Sequence, residues 1–275
     1  MNTVKIGNKE ITFPSSISEI TEADWKKIAV FVFQDTIQNR ISLMIHLASN
    51  QKVMLGALEK LKAESNESNR LFQLSRIMDF IWEKQDVAPD TVVKPMISKF
   101  KLKGITYWLP QPSLDDVTMN EWAFLHAYLE EYQQDYEEEK LLNIVACCCR
   151  ERRKKKEIAA EDFDGFYRIH FNPETISRRA KKMGYVPFYV GRAVLDYLSR
   201  CQMMLKARYA KLFEGPASKG PSWGYQGMIF SLGDTTYFQG TKVGDQLLHE
   251  CMSYAMKKII DMELAQEPET ANSLL

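Results

Sequence analysis

Apolar residues recur along most of this chain at spacings of three and four, the period of helices that bury one face. Two runs instead alternate like strands. The first, V-K-I-G-N-K-E-I-T-F at residues 4–13, turns at Gly7-Asn8 and predicts a small hairpin or extended arm. The second, F-K-L-K-G-I-T-Y-W-L at residues 100–109, also carries a glycine in mid-run. Each leads into a proline, Pro14 or Pro110, and then into one copy of a shared pattern: S-I-S-E-I-T-E-A-D-W at 16–25 and S-L-D-D-V-T-M-N-E-W at 113–122, aligned without a gap. In both, a Thr stands three residues before an acid, so Thr21 and Thr118 are expected N-caps whose hydroxyls accept the N–H of that acid. The second copy is the better capping box, because Asp24 is a weaker partner than Glu121.

The helical stretches follow in order. From Trp25, residues 28–33 are apolar on all sides, and Ile37, Ile41, Met44, Ile45 and Ala48 continue on one face, which predicts one helix with a buried first half. Met54, Leu58 and Leu61, then Leu74, Ile77, Met78 and Ile81, mark a helical hairpin split by the polar run 64–69. Pro89 and Pro95 break regularity and place an internal boundary near 85–99. After Thr118, the stripe Trp122, Leu125, Leu129, Tyr132, Tyr136 faces a core, and the opposite face is acidic through Glu130, Glu131, Asp135 and Glu137 to Glu139. Asn172-Pro173-Glu174 opens a helix that stops at Gly184, and a long amphipathic helix carries Val190, Val194, Leu198, Cys201, Leu205 and Leu212. The last helix shows Leu248, Cys251, Ala255, Ile259 and Met262 in register.

These elements predict a mainly α protein, a multi-helix bundle with short β-hairpin or extended arms before the two Thr-capped helices. The expected organisation is an N-terminal helical subdomain with a β arm (1–90), a central helical subdomain (91–213), a Gly/Pro/Ser-rich linker (214–224), a C-terminal loop and helix (225–265) and a disordered tail (266–275).

Composition narrows the function classes. With 45% hydrophobic and 11% aromatic residues among 275, the chain can build a real core. Lys+Arg and Asp+Glu are both 36, so no global field favours nucleic acid or an anionic membrane. No run reaches the roughly 18 apolar residues of a membrane span, so no membrane partner is expected. The five cysteines include no C-x-x-C pair, and Cys147, Cys148 and Cys149 are consecutive, as expected of small buried helix residues rather than a disulfide framework. The four histidines have no i,i+3 or i,i+4 partner, so no metal site is expected, and no nucleophile, base and orienting residue share a motif. The expectation is therefore a non-enzymatic protein with no cofactor, working through surfaces.

Two surfaces stand out. Tyr107, Trp108 and Trp223, near loops, are candidate partner contacts, because a large ring buries much area at small entropic cost; closing the core from above is the alternative for each. Arg150, Arg152, Arg153, Lys154, Lys155 and Lys156, with Arg178, Arg179, Lys181 and Lys182, form two basic clusters able to neutralise a line of phosphates, or to sit solvated at helix ends. The first run contains no Phe, Tyr or Trp, so it lacks the aromatic interleaving of single-strand binders.

The order of pieces carries a resemblance. The arm, the helix start P-S-x-[I/L]-x-[E/D]-[I/V]-T-x-x-[D/E]-W, L-L-N-I-V-A-C-C-C-R, I-S-R-R-A-K-K-M-G-Y-V-P-F-Y-V-G-R-A-V-L-D-Y-L and S-W-G-Y-Q-G-M-I-F-S-L-G-D before a final helix resemble a family of small helical proteins encoded among virion-assembly genes of tailed bacteriophages and prophages. The resemblance implies a role in building the tail or neck, as an assembly chaperone or a structural subunit. Its partners would be other tail or neck proteins, with self-association included, in the bacterial host cytoplasm during assembly or in the virion. A nucleic-acid-binding module built on the two basic clusters is the alternative.

Overall fold

The computed structural model describes residues 1–6, 8–32, 34–62, 72–82, 88–163, 165–213, 224–233 and 242–266. The protein is mainly α, with one two-stranded and one three-stranded antiparallel sheet among the described residues. It forms two compact units, Met1–Asp86 with Pro187–Ala193, and Val87–Val186 with Val194–Leu275.

In the first unit, β1 (Asn2–Ile6) pairs antiparallel with β2 (Lys9–Phe13), with Ile6 opposite Lys9. Thr21 caps α1 (Glu22–Ile28) by accepting the Asp24 N–H at 3.2 Å, and Trp25 is buried with its indole N–H donated to the Tyr189 carbonyl at 3.0 Å. The single helix expected from Trp25 onward is instead two. Phe31 N–H bonds Ile28, three residues back, and Thr36 starts α2 (Ile37–Leu47) by accepting the Asn39 N–H. A second cap signal therefore lay inside an apolar run, and Val30 is exposed rather than buried. α3 (Gln51–Lys62) buries Met54 and Leu58. Among the described residues its expected partner is α-helical at 72–75 and tightens to 3₁₀ over Arg76–Ile81, with Met78 in the core.

The second unit opens on β3 (Lys99–Leu102) and β4 (Ile105–Trp108), joined by Lys103 and Gly104, both at positive φ (48° and 81°) as a tight two-residue hairpin turn requires. The short strand β5 (Arg150–Glu151) adds to the far side of β4. Thr118 caps α4 (Met119–Asp135), and Trp122, Leu125 and Leu129 are buried. That stripe ends earlier than its spacing implied: Tyr136 is a left-handed cap, exposed, with its ring edge-on to Tyr132. α5 (Glu138–Cys148), α6 (Lys155–Ile158), α7 (Ile176–Met183, closed by Gly184 at φ 78°), α8 (Phe188–Arg208), α9 (Gly224–Leu232) and α10 (Leu248–Gln266) complete it. α8 buries Val190, Val194, Leu198, Cys201 and Leu205, and its residues to Ala193 belong to the first unit.

All five cysteines are free and buried. Burial pushes the Cys147 and Cys149 thiols well up, and that of Cys251 up to about 11. Most of the expected linker, residues 234–241 of the expected C-terminal loop and helix, the tail from 267 and the polar run 64–69 lie outside the described residues. Because both threonines cap, Thr21→Ala and Thr118→Ala should each lower stability by about 1 kcal/mol in urea unfolding. No loss at either position would remove the shared pattern's assigned role.

Candidate functional site

The two copies of the pattern use their second acid differently. In the first, the Asp24 carboxylate accepts the Thr21 hydroxyl at 2.6 Å near the surface. In the second, Thr118 accepts the Glu121 N–H at 3.2 Å, but the carboxylate turns inward, fully buried. It accepts Arg150 Nη2 at 2.5 Å and Arg168 Nη1 at 3.3 Å. Arg168 Nε also donates to Asp116 at 2.7 Å, and the other Asp116 oxygen accepts the Gln111 N–H at 2.7 Å. Two buried acids thus balance two buried guanidinium groups. Burial works against the charge of Arg168, but Glu121 and Asp116 outweigh it and raise its pKa. For Arg150 burial prevails over Glu121, helped by the like charge of Arg168, and the pKa falls.

This cluster fixes an edge of the unit. Arg150 Nη1 donates to the Ile169 carbonyl at 2.8 Å, and Arg168 Nη1 to that of Cys148 at 2.7 Å. Between those anchors the backbones run antiparallel: Ile169 N–H bonds Glu151 and Arg153 N–H bonds Tyr167, both at 2.9 Å. Side chains projecting from the pair make two adjoining features.

One is a cation–aromatic ladder. Lys99 Nζ lies 4.7 Å from the centre of the Trp108 ring, and the Arg152 guanidinium lies 5.2 Å from Trp108 and 5.4 Å from Tyr167. Phe163 meets Tyr167 edge-on at 5.2 Å, with Arg153 over Phe163 at 5.8 Å. Each such contact contributes about 0.5–1 kcal/mol at an exposed site, enough to align the side chains and too little to immobilise them. The other feature is a cleft of about 560 Å³ lined by Glu151, His170, Asn172, Thr175 and the α7 cations Arg178, Arg179 and Lys182, with Ile169 as its apolar wall.

The candidate residues therefore separate. Tyr107 is core: it is 1% exposed and stacks on Phe100, because alternation along β4 turns it inward and leaves Trp108 facing out. Trp223 lies outside the described residues. Arg150 is consumed by Glu121 and offers nothing to a phosphate. Arg152 belongs to the ladder, as does Arg153, which also donates to the Phe166 carbonyl. Lys154, Lys155 and Lys156 are exposed at the start of α6, where Lys154 N–H donates to Glu157. Arg178, Arg179 and Lys182 meet at the cleft, while Lys181 is exposed and does not line it. The ladder's aromatics come from positions 108, 163 and 167, so the basic run gains its missing rings only through folding. Period-two alternation at Tyr107-Trp108 was the one sequence signal that pointed to Trp108.

Comparison with protein-family models, curated proteins and solved structures finds no match for this chain.

Proposed function

We propose that the protein is a non-enzymatic assembly factor that acts through protein–protein contacts, in the tail or neck of a tailed-phage particle, as a chaperone or a structural subunit. The observation that carries the protein-contact reading is the apolar stripe of α10. Leu248 is 0% exposed and Ala255 8%, whereas Met262 on the same face is 59% exposed and the neighbouring Leu264 62%. A stripe that outruns its own core is suited to packing on another helix, from a neighbouring tail or neck protein or a second copy. The phage setting rests on the order of motifs along the chain. Among the described residues no helix is long and apolar enough to cross a membrane, and no group of three His, Cys, Asp or Glu could hold a metal ion.

Quantitative mass spectrometry of purified particles, with and without the gene, tests this reading. Stoichiometric copies indicate a subunit; absence from particles whose yield falls on deletion indicates a chaperone. Normal particle yield without the protein contradicts both.

The ladder favours a second reading, binding of single-stranded nucleic acid, since Trp108 and Tyr167 supply ring faces between Lys99, Arg152 and Arg153. Filter binding of an oligonucleotide should then show retention at low salt that collapses toward physiological salt. Trp108→Ala should weaken it by about 1–3 kcal/mol, the worth of one stacked base. Absence of retention at low salt ends this reading.

A further inference from the structure

We propose that the cleft beside β5 is a binding site for phosphate groups. Cations outnumber carboxylates along its lining. Arg178, Arg179 and Lys182 face the cleft against one lining carboxylate, Glu151, which lies 3.4 Å from Lys182 Nζ. Once that pair is set aside, two guanidinium groups remain, matching the charge of a phosphomonoester.

Arg179 is the anchor. It is half-buried, and among the described residues its hydrogen bonds go to neutral oxygens: Nη1 to the Ala146 carbonyl at 2.6 Å and Nη2 to Thr175 Oγ1 at 3.1 Å. Burial lowers its pKa, outweighing the opposing pull of Glu151 and its other neighbours. These two bonds hold the planar fork in place and leave part of its five-donor set for an incoming anion. Arg178, exposed on the next position of α7, makes no hydrogen bond or ion pair to the described residues and can close over the same anion. Thr175 donates its hydroxyl to the Asn172 carbonyl at 2.8 Å, so the wall that receives the fork is itself fixed. A volume of about 560 Å³ exceeds the needs of one phosphate and accommodates a nucleotide-sized ligand.

The site depends on neither reading above, since the two guanidinium groups can pair with one phosphomonoester dianion or with two successive phosphodiester monoanions of a nucleic-acid backbone. Inorganic phosphate is the probe, titrated calorimetrically into the full chain at constant ionic strength with chloride as the exchanged salt. Saturable binding of one phosphate per chain is expected. Arg178→Gln should weaken it about tenfold, the equivalent of one charge-assisted hydrogen bond. Lys155→Gln, outside the cleft, should leave it unchanged. Arg179→Lys, which keeps the charge and removes the fork, should also weaken it, with circular dichroism confirming the fold. Displacement by a 5′-mononucleotide alone identifies a free phosphomonoester as the source, and displacement by an oligothymidylate without terminal phosphate identifies the backbone. Unsaturable binding, or equal weakening by Lys155→Gln and Arg178→Gln, overturns the site.

Discussion

An ionised carboxylate removed wholly from water must find cations, and Glu121 has no exposure at all. Leaving one member of a buried ion pair unmatched costs about 3–5 kcal/mol, a large part of the stability of an ordinary domain. Arg150 and Arg168 therefore have to reach the N-terminal turn of α4, and the chain between them must return within hydrogen-bond distance of its own start. β5 and residues 166–170 lie where they do because of that requirement. Trp108, Tyr167, Arg178 and Lys182 all project from this edge or from the elements packed beside it.

The same hub is tied from other directions. Ser113 and Leu114 hold positive φ values of 58° and 67°, a region that disfavours side chains other than Gly and Asn. The surroundings compensate: Ser113 N–H bonds the Val93 carbonyl at 2.7 Å, Leu114 N–H bonds the Tyr197 hydroxyl at 3.1 Å, and His249 Nε2 donates to the Ser113 carbonyl at 2.8 Å. Beyond the turn, Met119 N–H bonds Gln246 and Leu248 N–H bonds Val117. The first copy of the pattern keeps the local chemistry, with Glu19 accepting the Ser15 N–H at 2.7 Å as Asp116 accepts that of Gln111. Its Asp24 stays at the helix start. Two equivalent helix entries thus share a grammar, and only the second was drawn into a charged core.

Local features were legible from residue order. The hairpins, both Thr caps, the Gly184 stop and the stripes of α4 and α8 follow from side-chain period and capping chemistry, which act over a few residues. The break between α1 and α2 was hidden because continuous hydrophobicity masked the Asp35-Thr36 start. The ion cluster joins positions 116, 121, 150 and 168, and the ladder joins 99, 108, 152 and 167, separations at which spacing carries no signal. For that reason Arg150 read as part of a basic surface cluster although it is a core residue. The basic clusters were visible as composition, whereas the fork geometry of Arg179 required α7 to be placed against α5.

Glu121 fixes the edge that presents the ladder and the cleft. Native-state amide hydrogen exchange on the isosteric variant Glu121→Gln tests it most directly. The amides of Arg153 and Ile169, which join the two backbones of that edge, should lose far more protection than those of the β1–β2 hairpin. Equal protection in variant and wild type at Arg153 and Ile169 would contradict it.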